Sequence, residues 1–285
     1  MINQFSASGF QFPIRATKMS GTGNDFLIID HRKPFIDVNK QPEFAKRVCR
    51  RKFSAGADGL ILIENSPEAD FRWQFYNADG SSAEMCGNGA RCAARYAYAH
   101  KIAPAKMRFQ TIAGLIEAEI VADSVKIKLT PPENIVMGQV VSLDGKATEV
   151  SSMNTGVPHV VCFVDDVAAV SVDQLGRSIR FNELFQPAGT NVNFVQVKPG
   201  NRLQVRTYER GVEGETLACG TGAVAAALIS AMGGRCASPV LITTSGGEEL
   251  TVHFSLGSGN EVEKVFLEGP AHFIYEAELT SEAFY

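Results

Sequence analysis

Read as a pattern of apolar and polar positions, the chain alternates short β-branched runs with two long small-residue stretches. Phe26–Asp30, Leu60–Ile63, Val160–Val164 and Phe194–Val197 are apolar runs of strand length. Phe109–Ile112, Ile116–Ile120 and Val125–Leu129 alternate around Gly114 and residues 122–124, the pattern of hairpin strands. Leu241–Thr244 and Glu249–Phe254 mirror the first two of these, and Val265–Glu268 resembles the third. Among the strands sit two predicted helices. Gly87–Ala99 is stopped before Pro104, and Gly220–Met232 is stopped by Gly233–Gly234. Ala223–Ala231 is apolar all round, which predicts an enclosed helix rather than a surface one.

The pattern repeats. At an offset of 133 residues, Thr22–Gly23 falls on Thr155–Gly156 and Gly56 on Gly189. Cys86-Gly-x-Gly-Ala90 falls on Cys219-Gly-x-Gly-Ala223, then Thr111 on Thr244 and Gly114 on Gly247, with no gap required. The chain therefore reads as a duplication with its seam near Thr130–Glu133, each half a curved sheet wrapped on a single helix. The fold class expected is α+β in two pseudo-symmetric domains.

Composition narrows the setting. A chain of 285 residues, 45% hydrophobic and 20% charged, has enough apolar material for two cores. A net charge of −4 argues against non-specific nucleic-acid binding. The basic run Lys46–Lys52 reads as a solvated helix face. Residues 1–16 lack the basic and apolar regions of a secretory signal, and Ala223–Met232 is too short to span a bilayer. Six cysteines, with no C-x-x-C pair and no zinc-like spacing, suggest a reducing, cytoplasmic setting.

Two of those cysteines open the predicted helices. A helix start offers unpaired N–H groups and the positive end of the macrodipole, so Cys86 and Cys219 are expected to have lowered thiol pKa values. The same amides, stripped of side chains by Gly87 and Gly220, can cradle a carboxylate. The bland reading is a small hydrophobe packed at a helix start, which is how Cys49, Cys92, Cys162 and Cys236 are read. Duplication favours a functional pair. Two opposed thiols suit inversion at a carbon, one removing a proton from one face and the other delivering a proton to the opposite face.

At this point the motifs are recognisable. Gly21-Thr-Gly-Asn-Asp-Phe26, Asn77-Ala-Asp-Gly80 leading to Glu84-Met-Cys-Gly-Asn-Gly89, and Glu209-Arg-Gly211 leading to the segment Gly214–Gly222 resemble the diaminopimelate epimerase family. The resemblance runs from about Ile14 to Tyr275. It implies two halves, each a β-roll around a central helix, with residues 1–132 forming the first and 133–270 the second, and 271–285 returning to the first. It implies interconversion of LL- and meso-diaminopimelate with no cofactor and no metal, on the route to lysine and cell-wall peptide, by a homodimer.

Carried over by position, the resemblance makes Cys86 and Cys219 the base/acid pair, with His159 and Glu209 helping to set their protonation. The amides of Gly87–Asn88 and Gly220–Thr221 become the α-carboxylate cradle. Asn24, Asn77, Asn191, Glu209 and Arg210 become substrate contacts, Arg210 and the amides suiting a distal amino acid end. The chain departs from the family pattern at Val157, where Asn is frequent, at Gly59, where some members carry Gln, and in a Glu209–Cys219 segment one residue longer through Val212–Glu213. The first twelve residues lie outside the resemblance and are expected to pack loosely. Competing readings are a racemase for proline or hydroxyproline, a thiol redox protein, and a non-catalytic amino-acid-binding protein.

Overall fold

The computed structural model describes residues 10–143 and 146–284. In chain order the strands of the first half are β1 (Ile14–Gly21), β2 (Asn24–Asp30), β3 (Gly59–Glu64), β4 (Phe71–Asn77), β5 (Lys106–Thr111), β6 (Gly114–Val121) and β7 (Ser124–Leu129). They are followed by β8 (Glu133–Leu143), β9 (Lys146–Asn154), β10 (Pro158–Phe163), β11 (Asn191–Lys198), β12 (Arg202–Glu209), β13 (Gly214–Thr216), β14 (Val240–Thr243), β15 (Glu249–Leu256), β16 (Val262–Pro270) and β17 (His272–Leu279). The helices are α1 (Gln41–Val48), α2 (Gly87–Ala99), α3 (Val172–Arg180) and α4 (Gly220–Met232). The chain divides into two compact units, Met1–Ile127 with Pro270–Tyr285, and Lys128–Gly269.

In the first unit the strands run β17–β1–β2–β3–β4–β5–β6–β7; β2–β3 and β4–β5 are parallel and the other pairs antiparallel. The second unit runs β8–β9–β10–β11–β12–β14–β15–β16 with the same succession, β10–β11 and β12–β14 being its parallel pairs. The C-terminal strand β17 thus takes in the first unit the place that β8 takes in the second. Parallel neighbours are covered on both faces, and every residue of β3 is buried. Leu60 and Leu62 join Phe44, Ala45 and Val48 of α1, while Ile61 lies beneath Gly89 of α2.

Among the described residues each unit therefore carries two α-helices, which corrects the single helix expected from sequence. The apolar stripes of α1 and α3 are short, and a stripe that brief is hard to tell from loop by periodicity. Gly222–Ser230 of α4 is buried without interruption, as its apolar circumference requires; each large side chain enclosed there contributes about 2 kcal/mol. Part of the amino-terminal expectation also changes. Phe10 is buried against Phe44 and Phe284 and Phe12 packs on Phe284; residues 1–9 of that expectation lie outside the described residues.

The internal repeat is not free of gaps. Phe26 pairs with Gly59, whereas His159, 133 residues on from Phe26, pairs with Asn191, 132 residues on from Gly59. The offset stays at 132 through β4 and β12, where Ile61 faces Phe75 and Asn193 faces Thr207. It returns to 133 at α2 and α4. One additional residue in the connection between β12, which ends at Glu209, and α4, which begins at Gly220, restores it.

Candidate active site

Cys86 is the residue immediately before α2 and Cys219 the residue before α4, each in extended conformation. Neither is disulfide-bonded and both are half-buried. The expectation of depressed thiol pKa values is overturned. Burial pushes Cys86 above its ordinary value, against the opposing pull of the Gly89 and Asn88 amides and of Arg91. Burial pushes Cys219 up to about 11, and the Glu209 carboxylate adds to the rise against the Thr221 hydroxyl and the Gly222 and Thr221 amides. The helix start does favour thiolate, but removing the sulfur from water costs more than the amides return.

Around Cys86 the polar side chains form one network. Asn88 turns its side chain inward, its Nδ2 donating to Asn24 Oδ1 at 2.8 Å while its Oδ1 accepts from Arg91 Nη2 at 2.8 Å. Asn24 Nδ2 donates to Asp58 at 3.0 Å. Asp58 and Asp25 are both held by Arg51, and Lys18 Nζ reaches Asp25 at 2.7 Å. Arg91 also donates to Thr22 Oγ1 at 2.7 Å and to the Pro270 carbonyl. Asn24 and Asn88 are thus joined directly, leaving the Asn88 backbone amide as its group facing the sulfur. Asn77 is exposed, its Nδ2 on Ser81 Oγ at 3.0 Å.

Around Cys219 the arrangement differs. Thr221 Oγ1 stands 3.5 Å from the Cys219 sulfur and 2.9 Å from His159 Nε2. His159 is fully buried and, through burial and the Arg210 charge, is pushed down to about 3, so it is a neutral imidazole. Glu209 ends β12 and Arg210 follows it. Asn191 is buried, its Nδ2 donating to the Pro158 carbonyl at 3.1 Å and its Oδ1 accepting from the Arg210 N–H at 2.8 Å. Asn191 therefore anchors the Arg210 backbone. The Arg210 guanidinium gives one N–H to the Ala188 carbonyl at 2.8 Å, leaving donors of its planar fork for a carboxylate. Among the described residues no cluster of His, Cys, Asp or Glu is placed to hold a metal ion.

With this geometry in view, comparison with known proteins is decisive. A diaminopimelate epimerase profile matches residues 16–140 and 151–273. The chain belongs to the diaminopimelate epimerase family. It is 48% identical over 277 residues to the diaminopimelate epimerase of Aquifex aeolicus, covering 93% of this chain and 97% of that protein. It is 45% identical to that of Hydrogenobaculum sp., covering 94% and 99%. Solved structures share the fold at low identity. A Bacillus anthracis phenazine biosynthesis protein of the PhzF family has a TM-score of 0.73 at 13% identity, covering 95% of this chain and all of that one. A hydroxyproline epimerase from Agrobacterium vitis has a TM-score of 0.65 at 14% identity, covering 95% and 92%.

The departures from the diaminopimelate epimerase motifs have local physical causes. A Cβ at Gly59 would meet the Phe75 ring at 2.6 Å and the Tyr76 carbonyl at 2.8 Å, so β3 accepts no side chain there. Asn154, a candidate to supply the polar group that Val157 does not offer, accepts from the Gly156 N–H at 3.0 Å and serves its own turn. In the lengthened turn after β12, Glu213 accepts from the Gly211 N–H and from the Tyr208 hydroxyl, which closes the turn. Arg91, Asn193 and Thr207 escaped the sequence reading. A charged residue amid the alanines of α2 was the available signal for Arg91; Asn193 and Thr207 sit in strands that carry other polar residues and offered none.

Proposed function

We propose that the chain interconverts LL- and meso-diaminopimelate by a two-thiol proton transfer, serving lysine and peptidoglycan-precursor synthesis. The observation that carries this reading is the pair Cys86 and Cys219, each opening a buried helix in a duplicated unit of a chain from this family. One thiolate takes the α-proton and becomes a thiol while the C–H electron pair stays on carbon. The other thiol gives its proton to the opposite face and becomes the thiolate. The reverse direction exchanges the roles, and no cofactor or metal is consumed or required.

The α-carbanion is stabilised by spreading charge onto its carboxylate, for which the Gly87–Asn88 and Gly220–Thr221 amides form the cradle. Asn24, Asn77, Asn191 and Arg210 orient the distal end, Asn24 and Asn191 acting partly through Asn88 and the Arg210 backbone. His159 and Glu209 tune the thiols, as the rise that the Glu209 carboxylate imposes on Cys219 supports. We further propose a cytoplasmic homodimer. Exposed Phe273, Ile274 and Tyr275 on β17 support self-association.

The test is α-proton exchange of LL-diaminopimelate in D₂O, with reductant present and nothing else added. Deuterium at the inverted carbon of a meso product is expected. No exchange with reduced thiols, or turnover of hydroxyproline in place of diaminopimelate, overturns the reading. Light scattering on the same sample gives the mass, and a monomer at working concentration overturns the dimer.

A further inference from the structure

The two units bury different chemistry at equivalent places. Beneath the start of α2 lie Phe26, Ile61 and Phe75, an apolar trio with Phe26 and Phe75 edge to face at 5.9 Å. The register places His159, Asn193 and Thr207 at the same three positions beneath α4. The fold is built without polar groups there in one unit, so architecture does not explain them in the other. All three are buried, Asn193 and His159 completely.

Their hydrogen bonds have a single consistent direction. Asn193 Nδ2 lies 2.9 Å from the Val160 carbonyl, which only accepts, and Asn193 Oδ1 lies 2.9 Å from the Thr207 hydroxyl. The amide orientation is thereby set, with nitrogen toward His159 Nδ1 at 3.2 Å. Nδ1 must then be the acceptor of the neutral ring, so Nε2 carries the proton and donates to Thr221 Oγ1 at 2.9 Å. With that lone pair occupied, the Thr221 proton points to the Cys219 sulfur at 3.5 Å. Gly222 completes the arrangement, because a Cβ there would collide with Asn193 Oδ1.

We infer that Asn193, held by Thr207, is a positioning residue that locks His159 in its Nε2–H tautomer so that the Thr221 hydroxyl donates to the Cys219 thiolate. The relay moves no proton. It supplies Cys219 with a polarised donor for which the apolar trio of the first unit has no counterpart, so the two thiols are chemically unequal. The charged groups acting on it are Glu209, which opposes ionisation of Cys219, and Arg210, which adds to burial in keeping His159 neutral. The inference rests on the two-thiol reading for its purpose but not for its test.

The experiment is the pH dependence of iodoacetamide alkylation at Cys219 and Cys86, resolved by peptide mass spectrometry on the full-length protein without substrate. Thr221→Val, Asn193→Leu and Thr207→Val are each expected to raise the Cys219 profile, by about one pH unit for Thr221→Val, with Thr221→Ser restoring it. Cys86 in the same samples should not move. An unmoved Cys219 in folded Thr221→Val or Thr207→Val, or an equal shift at Cys86, overturns the inference. Loss of deuterium exchange in the unaltered protein would instead overturn the epimerase reading and leave these profiles standing.

Discussion

Asn193 occupies the space that a β-carbon on Gly222 would need, its side-chain oxygen lying against the first turn of α4. The glycine at the same motif position in α2, Gly89, has the side chains of Ile61 and Phe26 nearest to it, at 3.4 Å from an added Cβ. The two Cys-Gly-x-Gly motifs are alike in sequence for different physical reasons. Gly222→Ala is therefore expected to force Asn193 aside and to destabilise the protein by about 2–3 kcal/mol. Gly89→Ala should be close to neutral, its gain in helix propensity of about 1 kcal/mol offsetting a tight but apolar contact. Urea denaturation of the two variants checks this, and equal effects would show that the two glycines are equivalent.

This asymmetry marks where the sequence was legible. The two long helices could be bounded because glycine and cysteine open them, alanine fills them and Pro104 or Gly233 lies beyond their ends. The duplication was visible in the motif spacing, yet its one-residue shifts were not, since coincident glycines such as Gly56 and Gly189 masked them. Strand β17 escaped notice because its middle is exposed and carries no alternation. Asn193 and Thr207 did not stand out among the other polar residues of β11 and β12; only pairing brings them beneath the Cys219 helix. The sign of the thiol shifts failed for a related reason, burial being a tertiary property that a helix start does not announce.

Raised thiol pKa values set the expected pH dependence. In the proposed mechanism the base is a thiolate, and burial pushes Cys86 above its ordinary value and Cys219 up to about 11. Below those values the ionised fraction grows about tenfold per pH unit, so kcat/KM should climb between about pH 7 and pH 9 in both directions. It should fall only at higher pH, where the partner thiol loses the proton it must deliver. A profile already flat at neutral pH would mean that the free enzyme holds a thiolate.

In the proposed mechanism, replacing either thiol removes one half of the proton transfer. Cys86→Ala and Cys219→Ala are each expected to lower kcat by at least about 10³-fold, with binding of diaminopimelate retained in calorimetry. Both side chains are small and half-buried, so the fold should survive the change. Near-native turnover in either variant would exclude the two-thiol mechanism.

Arg210 gives one guanidinium N–H to Ala188 and is fixed through its backbone by Asn191. Its free donors suit the distal carboxylate of the substrate. Arg210→Ala should raise KM by about 10–100-fold with a smaller effect on kcat, the signature of weakened ground-state binding. Arg210→Lys should recover part of the loss, since lysine keeps the charge but not the planar fork. An unchanged KM in Arg210→Ala would place the distal recognition elsewhere.

The ion pair of buried Lys18 with half-buried Asp25 has a stability role that pH can expose. Lys18 is buried, and its ammonium reaches Asp25 at 2.7 Å and the Gly56 carbonyl. Asp25 also takes two bonds from Arg51, at 2.5 and 3.1 Å. Burial works to raise the Asp25 carboxyl, but Lys18 and Arg51 outweigh it and hold the group below its ordinary value. A folded pKa below the unfolded one means that the stabilisation is present above the unfolded carboxyl pKa. It is lost as pH falls through the folded value. Asp25→Asn leaves Lys18 buried without its counter-charge and should cost about 3 kcal/mol at neutral pH. In acid the native carboxyl is protonated too, so the two proteins should converge. Chemical denaturation of both across the acid range measures the difference, and a gap that stayed constant with pH would mean that packing, not charge, makes Asp25 matter.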